Sequence, residues 1–150
     1  MQGLTTFSCE NRVGRLIEAR VHALKGPEDA RAYSAALGEV VQNHIARDGE
    51  GPVLCADHRP VAIYSPAVAD ELARLFGLMN AHLQRVAIIA AKSNATLVMQ
   101  LGRIIREAGN PKRQLFYAAT EVTEFLAGDL DSAERARAQA FLAELPSGPA

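Results

Sequence analysis

The sequence predicts an α/β protein with a mixed β-sheet, opened by an antiparallel hairpin and continued by alternating βα units whose helices pack on the sheet. The stretch from Pro52 to Asn94 carries most of this prediction, because a short apolar run, a helix-period run and a second short apolar run form a βαβ unit. Alternating apolar and polar residues before Pro52 indicate the hairpin. Partners of open α/β sheets usually bind at the carboxyl ends of the strands, so the loop after Asp57 is the predicted functional surface.

Two adjacent antiparallel strands are predicted at the start of the chain. Residues 5–9 alternate between apolar and polar, and the polar, glycine-closed segment 10–14 is typical of a hairpin turn. The second strand covers residues 17–23, with its apolar residues on one face and the other face expected to meet solvent. The polar residues expected on that second face are Glu18, Arg20 and His22.

The first helix and the first interior strand follow. Pro27 suits a first helical turn, and apolar residues then recur every three or four positions until the polar, glycine-containing segment 48–51. The strand 53–56 is apolar on both faces, as expected where helices cover both sides of a sheet. A second amphipathic helix begins near Ser65.

The pattern of strand and helix repeats in the second half of the chain. Residues 86–91 form another interior strand, and a third helix follows Ser93 and Asn94, which we expect to cap it. The segment Gly109-Asn110-Pro111 is typical of a helix stop, and residues 115–118 form the last strand.

Two helices close the domain. A short helix is predicted over 120–127, and the spacing of Asp131 and Glu134 is that of a capping box at the start of a final helix through Leu145. Residues 1–145 are expected to form one domain, and the tail 146–150 is expected to be disordered.

Composition excludes several classes of function. The 150 residues carry a net charge of −1, which gives no bulk attraction to nucleic acid or to an anionic membrane. Two cysteines outside any Cys-x-x-Cys pair make a disulfide framework or a zinc knuckle improbable. Neither a secretory signal nor an apolar run long enough to span a membrane is visible, so we expect a cytoplasmic protein.

The order of elements and several segments resemble the STAS domain, the fold of bacterial anti-sigma-factor antagonists, and in particular the small STAS-like proteins of bacteria. The segments that carry the resemblance are Val53-Leu-Cys-Ala-Asp57, Ser65-Pro-Ala-Val-Ala-Asp70, Gln100-Leu-Gly-Arg-Ile-Ile-Arg106 and Phe125-Leu126. The resemblance implies a non-catalytic module that binds protein partners and is switched by phosphorylation of the serine at the start of the second helix. Ser65 occupies that position, although Tyr64 precedes it where the family has aspartate, and Pro66 follows.

The candidate site residues come from this end of the predicted sheet and from one basic segment. The residues predicted to bind a partner are Asp57, His58, Arg59, Tyr64, Ser65, Ser93 and Asn94. Ser65 is interpreted as a helix N-cap and as a candidate phosphorylation site. A basic patch for an acidic partner is predicted at Arg103, Arg106, Lys112 and Arg113. No metal and no cofactor is expected, because no reactive constellation or nucleotide-binding motif is present.

The residues give less support to other functions. A phospho-acceptor role for Asp57 lacks the acidic pair and the lysine that such a site needs. A thiol enzyme would use Cys55 with His58, but a buried structural thiol is the usual state of a free cysteine. A carrier of small molecules or lipids would need a cavity between helices and sheet. Self-association through the alanine-rich final helix or the hairpin edge would give a homodimer.

Overall fold

A five-stranded sheet lies at the centre of the fold in the computed structural model, which describes residues 6–48, 51–109 and 112–145. The strands are β1 (Phe7–Val13), β2 (Leu16–Val21), β3 (Val53–Asp57), β4 (Arg85–Ile89) and β5 (Arg113–Phe116). The helices are α1 (Pro27–Asp48), α2 (Pro66–Met79), α3 (Ala95–Ala108), α4 (Ala119–Leu126) and α5 (Ser132–Ala143), with a 3-10 turn at Ala127–Asp129 before α5.

The strands lie side by side in the order in which they occur along the chain. β1 and β2 are antiparallel, and β2, β3, β4 and β5 are parallel to one another. Right-handed crossovers between successive neighbours place their helices on the same face, so α1, α2 and α3 cover one side of the sheet. α4 and α5 cover the other side. The predicted fold class, a hairpin-opened mixed sheet with packed helices, is therefore confirmed.

Each face of the sheet has its own hydrophobic core, because successive residues of a strand point to opposite sides. On one face, Ile17, Leu54 and Ile88 pack with the apolar stripes of α1, α2 and α3. On the other face, Cys55 and Ile89 belong to a second cluster with α4 and α5. Both sides of β3 are buried, as its continuous apolar sequence predicts.

The helix ends agree closely with the sequence signals. The Ser65 hydroxyl accepts a hydrogen bond from the backbone N–H of Val68 (3.3 Å), and the Asn94 side chain does the same for Leu97 (3.3 Å). Gly109 ends α3 in the left-handed conformation, with φ of 67°. Ser93 was expected to share the capping of α3, but it lies before the cap and is exposed.

The predicted capping box at the start of α5 is present. The Asp131 carboxylate accepts from the N–H of Glu134, and the Glu134 carboxylate accepts from the N–H of Asp131, each at 2.8 Å. Glu134 also accepts from the backbone N–H of Arg15 at 2.6 Å, so the cap joins α5 to the hairpin. Because Gly14 has a φ of 52° and a Cβ there would fall onto the Glu134 carboxylate, this tight turn needs glycine.

Three predictions about the strands are wrong. The hairpin turn is at Gly14 and Arg15, because β1 continues through the segment predicted as a turn. β2 has no wet face: Glu18 is 3% exposed and Arg20 is 8% exposed, since α5 covers them, whereas His22, just after the strand, is exposed as predicted. β5 begins at Arg113, two residues earlier than predicted. The predicted boundaries within 1–5, 49–50 and 110–111, and the tail 146–150, lie outside the described residues.

Candidate functional site

The loop between β3 and α2 is held in place by the start of α3. The Asn94 amide donates to the backbone carbonyl of Val61 at 3.1 Å and also to that of Ala62. The side chain of Gln100 pairs with both backbone groups of Tyr64, accepting from its N–H at 3.0 Å and donating to its carbonyl at 2.5 Å. Hydrogen bonds from Asn94 and Gln100 to its backbone therefore hold the loop in one conformation.

Inside this loop, His58 and Tyr64 form a buried pair. The Nδ1 atom of His58 and the hydroxyl of Tyr64 lie 2.7 Å apart, and both residues are almost wholly inaccessible to solvent. Burial lowers the pKa of His58 to about 4, so the imidazole is neutral at physiological pH. Both residues were predicted to contact a partner. Their burial gives them a structural role instead, since the contact between their side chains joins the two ends of the loop.

Asp57 ends β3 as a buried carboxylate between two arginines. Arg20 is its neighbour across the parallel strands, and its Nε donates to Asp57 Oδ2 at 2.9 Å. Arg59 donates to both carboxylate oxygens through its side chain, each at 2.9 Å, and its backbone N–H donates to Oδ1 at 3.0 Å. Burial alone would raise the pKa of Asp57, but the hydrogen bonds and charge of Arg59 and the hydrogen bond from Arg20 lower it below its ordinary value.

The same two arginines reach the last turn of α5. Arg20 Nη2 donates to the carbonyl of Phe141 at 2.6 Å, and Arg59 Nη2 donates to that of Leu142 at 2.9 Å. The guanidinium of Arg20 also lies 4.1 Å from the centre of the Phe141 ring. Carbonyls at the end of a helix lack intrahelical partners, so these bonds cap α5 and fasten it to the sheet. Asp57 therefore belongs to the interior, whereas Arg59 is half-buried, with its guanidinium bonded to Asp57 and to α5.

A second ion-pair layer flanks this network. Arg137 donates to both carboxylate oxygens of Glu18 at 2.8 Å, and it contacts Glu144 at the same distance. These hydrogen bonds, first to Glu18 and then to Glu144, raise the pKa of Arg137. Glu144 also pairs with Arg20 at 3.1 Å. Sequence reasoning missed this layer, because the partner of Glu18 lies 119 residues away along the chain.

The exposed part of this region is the start of α2 and the groove beside it. Ser65 and Ser93 are exposed, whereas Asn94 is half-buried. Between α2 and α3 runs an open groove of about 490 Å³. Its lining residues are Pro66, Ala69, Asp70, Met99, Gln100, Arg103, Ile104 and Glu107. Met99 is 74% exposed and Ile63, in the loop before Ser65, is 59% exposed. Sequence reasoning missed the groove, because the surfaces that form it belong to two helices that are separate in the chain.

The predicted basic patch is only partly formed. Arg103, Arg106 and Lys112 are exposed, and Arg103 pairs with Glu107 at 3.0 Å. Arg113 is 4% exposed, because its guanidinium lies over the Phe76 ring at 4.5 Å on the α1–α3 side of the sheet. The prediction of a four-residue surface patch is therefore wrong at Arg113.

The geometry gives no support to a thiol enzyme. The Cys55 side chain is wholly buried in the cluster beneath α4 and α5, and burial raises the pKa of its thiol to about 12. The described hydrogen-bond partner of the His58 imidazole is Tyr64. Across the described ranges, no group of three or more potential ligands could hold a metal ion.

A carrier function would need space between helices and sheet. The cavity found there, bounded by α1, α2 and the sheet, measures about 10 Å³, far below the several hundred Å³ of ordinary ligand pockets. Within the described parts of the chain, no helix combines the length and the apolar character that a membrane crossing requires.

Comparisons with known proteins leave the family open. No protein-family model matches the chain, and no match is found among curated proteins or among solved structures.

We expect Asp57→Asn to lower the free energy of unfolding by about 3–5 kcal/mol at neutral pH, because it removes the buried carboxylate that both Arg20 and Arg59 contact. Urea titrations of the variant and of Asp70→Asn, an exposed carboxylate on α2, measure the difference. The folded-state pKa of Asp57 lies below its ordinary value of 3.8, so its contribution is present above that pH and is lost as pH falls through the folded pKa. The gap between wild type and Asp57→Asn should therefore close in acid. A gap that is small, or independent of pH, contradicts the assignment.

We expect Cys55 to be unreactive in the folded chain. In a Cys9→Ser variant it is the remaining cysteine, and a rise in pKa from 9.0 to about 12 leaves a thiolate fraction about a thousandfold lower. Labelling with Ellman's reagent should be at least about a hundredfold slower in buffer than in urea. Equal rates would show that Cys55 is accessible and would reopen the enzyme hypothesis.

Proposed function

We propose that the chain is a non-catalytic, STAS-like regulatory module that docks a protein partner through the α2–α3 groove and the exposed start of α2. The observation that carries the proposal is an apolar anchor point beside an open groove. Met99 lines the groove, and Ile63 adjoins Tyr64, whose backbone is bonded to the groove residue Gln100. Large exposed apolar side chains at a concave surface are typical of partner-binding sites.

The surface around the groove carries charges of both signs. Arg103 lies in the groove wall, but it pairs with Glu107, and Asp70 also lines the groove, so the wall has no net positive charge. The exposed guanidinium of Arg106 lies outside the lining, and an acidic side chain of the partner would complement it beside an apolar side chain for Met99. The proposal places the module in the cytoplasm. Nucleic acid is a poor alternative, because the net charge is −1. Self-association into a homodimer, through the final helix or the hairpin edge, stays a prediction.

Phosphate on Ser65 is proposed as the switch. The Ser65 side chain is exposed, and it precedes Pro66, which lines the groove. A phosphate at a helix start is favoured by the helix dipole, so α2 would tolerate the modification. It would add negative charge next to the docking groove and change the affinity for a partner without unfolding the domain.

Glutamate at the anchor should abolish docking. We expect Met99→Glu and Ile63→Glu to remove the captured partner when the tagged chain is used to extract it from the source organism, because each places a charge in an apolar contact. Leu78→Glu is the matched control, since Leu78 is 60% exposed on α2 but neither lines the groove nor belongs to the loop before Ser65. Capture that survives both Met99→Glu and Ile63→Glu, or is lost equally in the control, refutes this docking surface.

A pair of capping variants separates the switch from the cap. Asparagine and aspartate both cap helices well, so Ser65→Asn and Ser65→Asp should keep the stability of α2 while only the second adds charge. We expect the captured amount to differ between them by about tenfold, equivalent to about 1.4 kcal/mol. Mass spectrometry of the native chain should find phosphate on Ser65. Equal capture and an unmodified Ser65 would exclude the switch while leaving the groove untouched.

A further inference from the structure

Met99 is the most exposed of the sulfur-containing residues that the structure describes. It is 74% exposed on α3, and its side chain lines the α2–α3 groove. Met79, the last residue of α2, is half-buried and packs against the core between the helices and the sheet. The remaining methionine, Met1, lies outside the described residues. Solvent and small solutes therefore reach Met99 more readily than Met79.

The two cysteines are poor competitors of Met99 for an oxidant. Peroxide attacks the thiolate rather than the thiol, so the reactivity of a cysteine falls as its pKa rises. Burial raises the pKa of the Cys9 thiol to about 12, and it raises that of the Cys55 thiol to about 12 as well. Both thiols are therefore protonated at neutral pH. Oxidation of a thioether requires no loss of a proton, so the Met99 sulfur is the reactive one.

Oxidation of Met99 would change the groove without unfolding α3. The buried residues Leu97, Leu101 and Ile104 hold this helix against the core, and they are on a different face from the exposed Met99. A sulfoxide is polar, whereas the thioether that it replaces is apolar. A polar group that is buried in an apolar contact without a hydrogen bond weakens that contact. The modified side chain would therefore be a poor anchor for a partner.

We propose that Met99 is a reversible oxidation site that switches off docking in the α2–α3 groove. Hydrogen peroxide transfers one oxygen atom to the Met99 sulfur: the O–O bond breaks, an S–O bond forms, the sulfur loses two electrons and water leaves. A methionine sulfoxide reductase reverses the step with two thiols, which become a disulfide while the oxygen leaves as water. The inference rests on the docking function proposed above, because the sulfoxide acts on the apolar contact that Met99 supplies.

Peptide mapping by mass spectrometry tests the site without any partner. When the full chain is treated with increasing concentrations of hydrogen peroxide, we expect sulfoxide at Met99 before sulfoxide at Met79 and before oxidation of either cysteine. The far-ultraviolet circular dichroism of the chain oxidised at Met99 should equal that of the untreated chain. Oxidation of Met79 or of a cysteine ahead of Met99, or loss of helical signal together with Met99 oxidation, overturns the inference whether or not a partner docks.

The variant Met99→Leu tests the switch, because leucine keeps an apolar side chain and has no sulfur. The tagged chain is oxidised, the peroxide is removed, and the partner is then captured from an extract of the source organism. Oxidised wild type should capture about tenfold less than untreated wild type, and reductase with dithiothreitol should restore capture. Oxidised Met99→Leu should capture as well as untreated wild type. Met79→Leu is the matched control, which should lose capture on oxidation as wild type does.

The outcomes separate the switch from the docking function. Equal capture by oxidised and untreated wild type, or an equal loss in oxidised Met99→Leu, contradicts the switch while the groove stays a docking surface. Untreated wild type that captures no partner refutes the docking function, and the switch is refuted with it.

Discussion

The pairing of the Asp57 carboxylate with Arg20 and Arg59 is the interaction on which the sheet face covered by α4 and α5 depends. The carboxylate pairs with both guanidinium groups, of which that of Arg20 is also paired with Glu144. The same guanidinium groups then bind the last carbonyls of α5, at Phe141 and Leu142. One buried charge thus joins two parallel strands, the loop after β3 and the final helix. α5 buries few apolar side chains, so polar contacts supply much of its attachment.

This constraint also divides the end of the sheet into an interior and a surface. Asp57, His58 and Tyr64 are turned inward, where they hold the loop in shape. The residues left facing solvent are at the start of α2 and along α3, beside the open groove. In many α/β proteins the polar residues at strand ends carry the chemistry. Here these polar residues hold the loop after β3 in shape.

Signals that act within a few residues were predictable. Ser65, Asn94 and the Asp131–Glu134 capping box were identified from local sequence, because each satisfies backbone groups of its own helix. The order of strands and helices followed from hydrophobic periodicity for the same reason. The burial of Glu18 and Arg20 was predicted wrongly, because a strand that alternates apolar and charged residues ordinarily has one face in water. No residue near them in the sequence indicates that a helix covers this face.

The sequence by itself determined the fold class, the helix caps and the buried character of β3, since these depend on periodicity and on hydrogen bonds between near neighbours. Only the tertiary structure decided which charges are inside. Glu18 meets Arg137, and Arg20 meets Phe141, across more than a hundred residues. Arg113, which reads as part of a basic surface segment, lies over Phe76 because β5 begins there. The burial of a charged side chain depends on contacts with residues that are distant in the sequence. The local sequence pattern does not show which residue will make that contact.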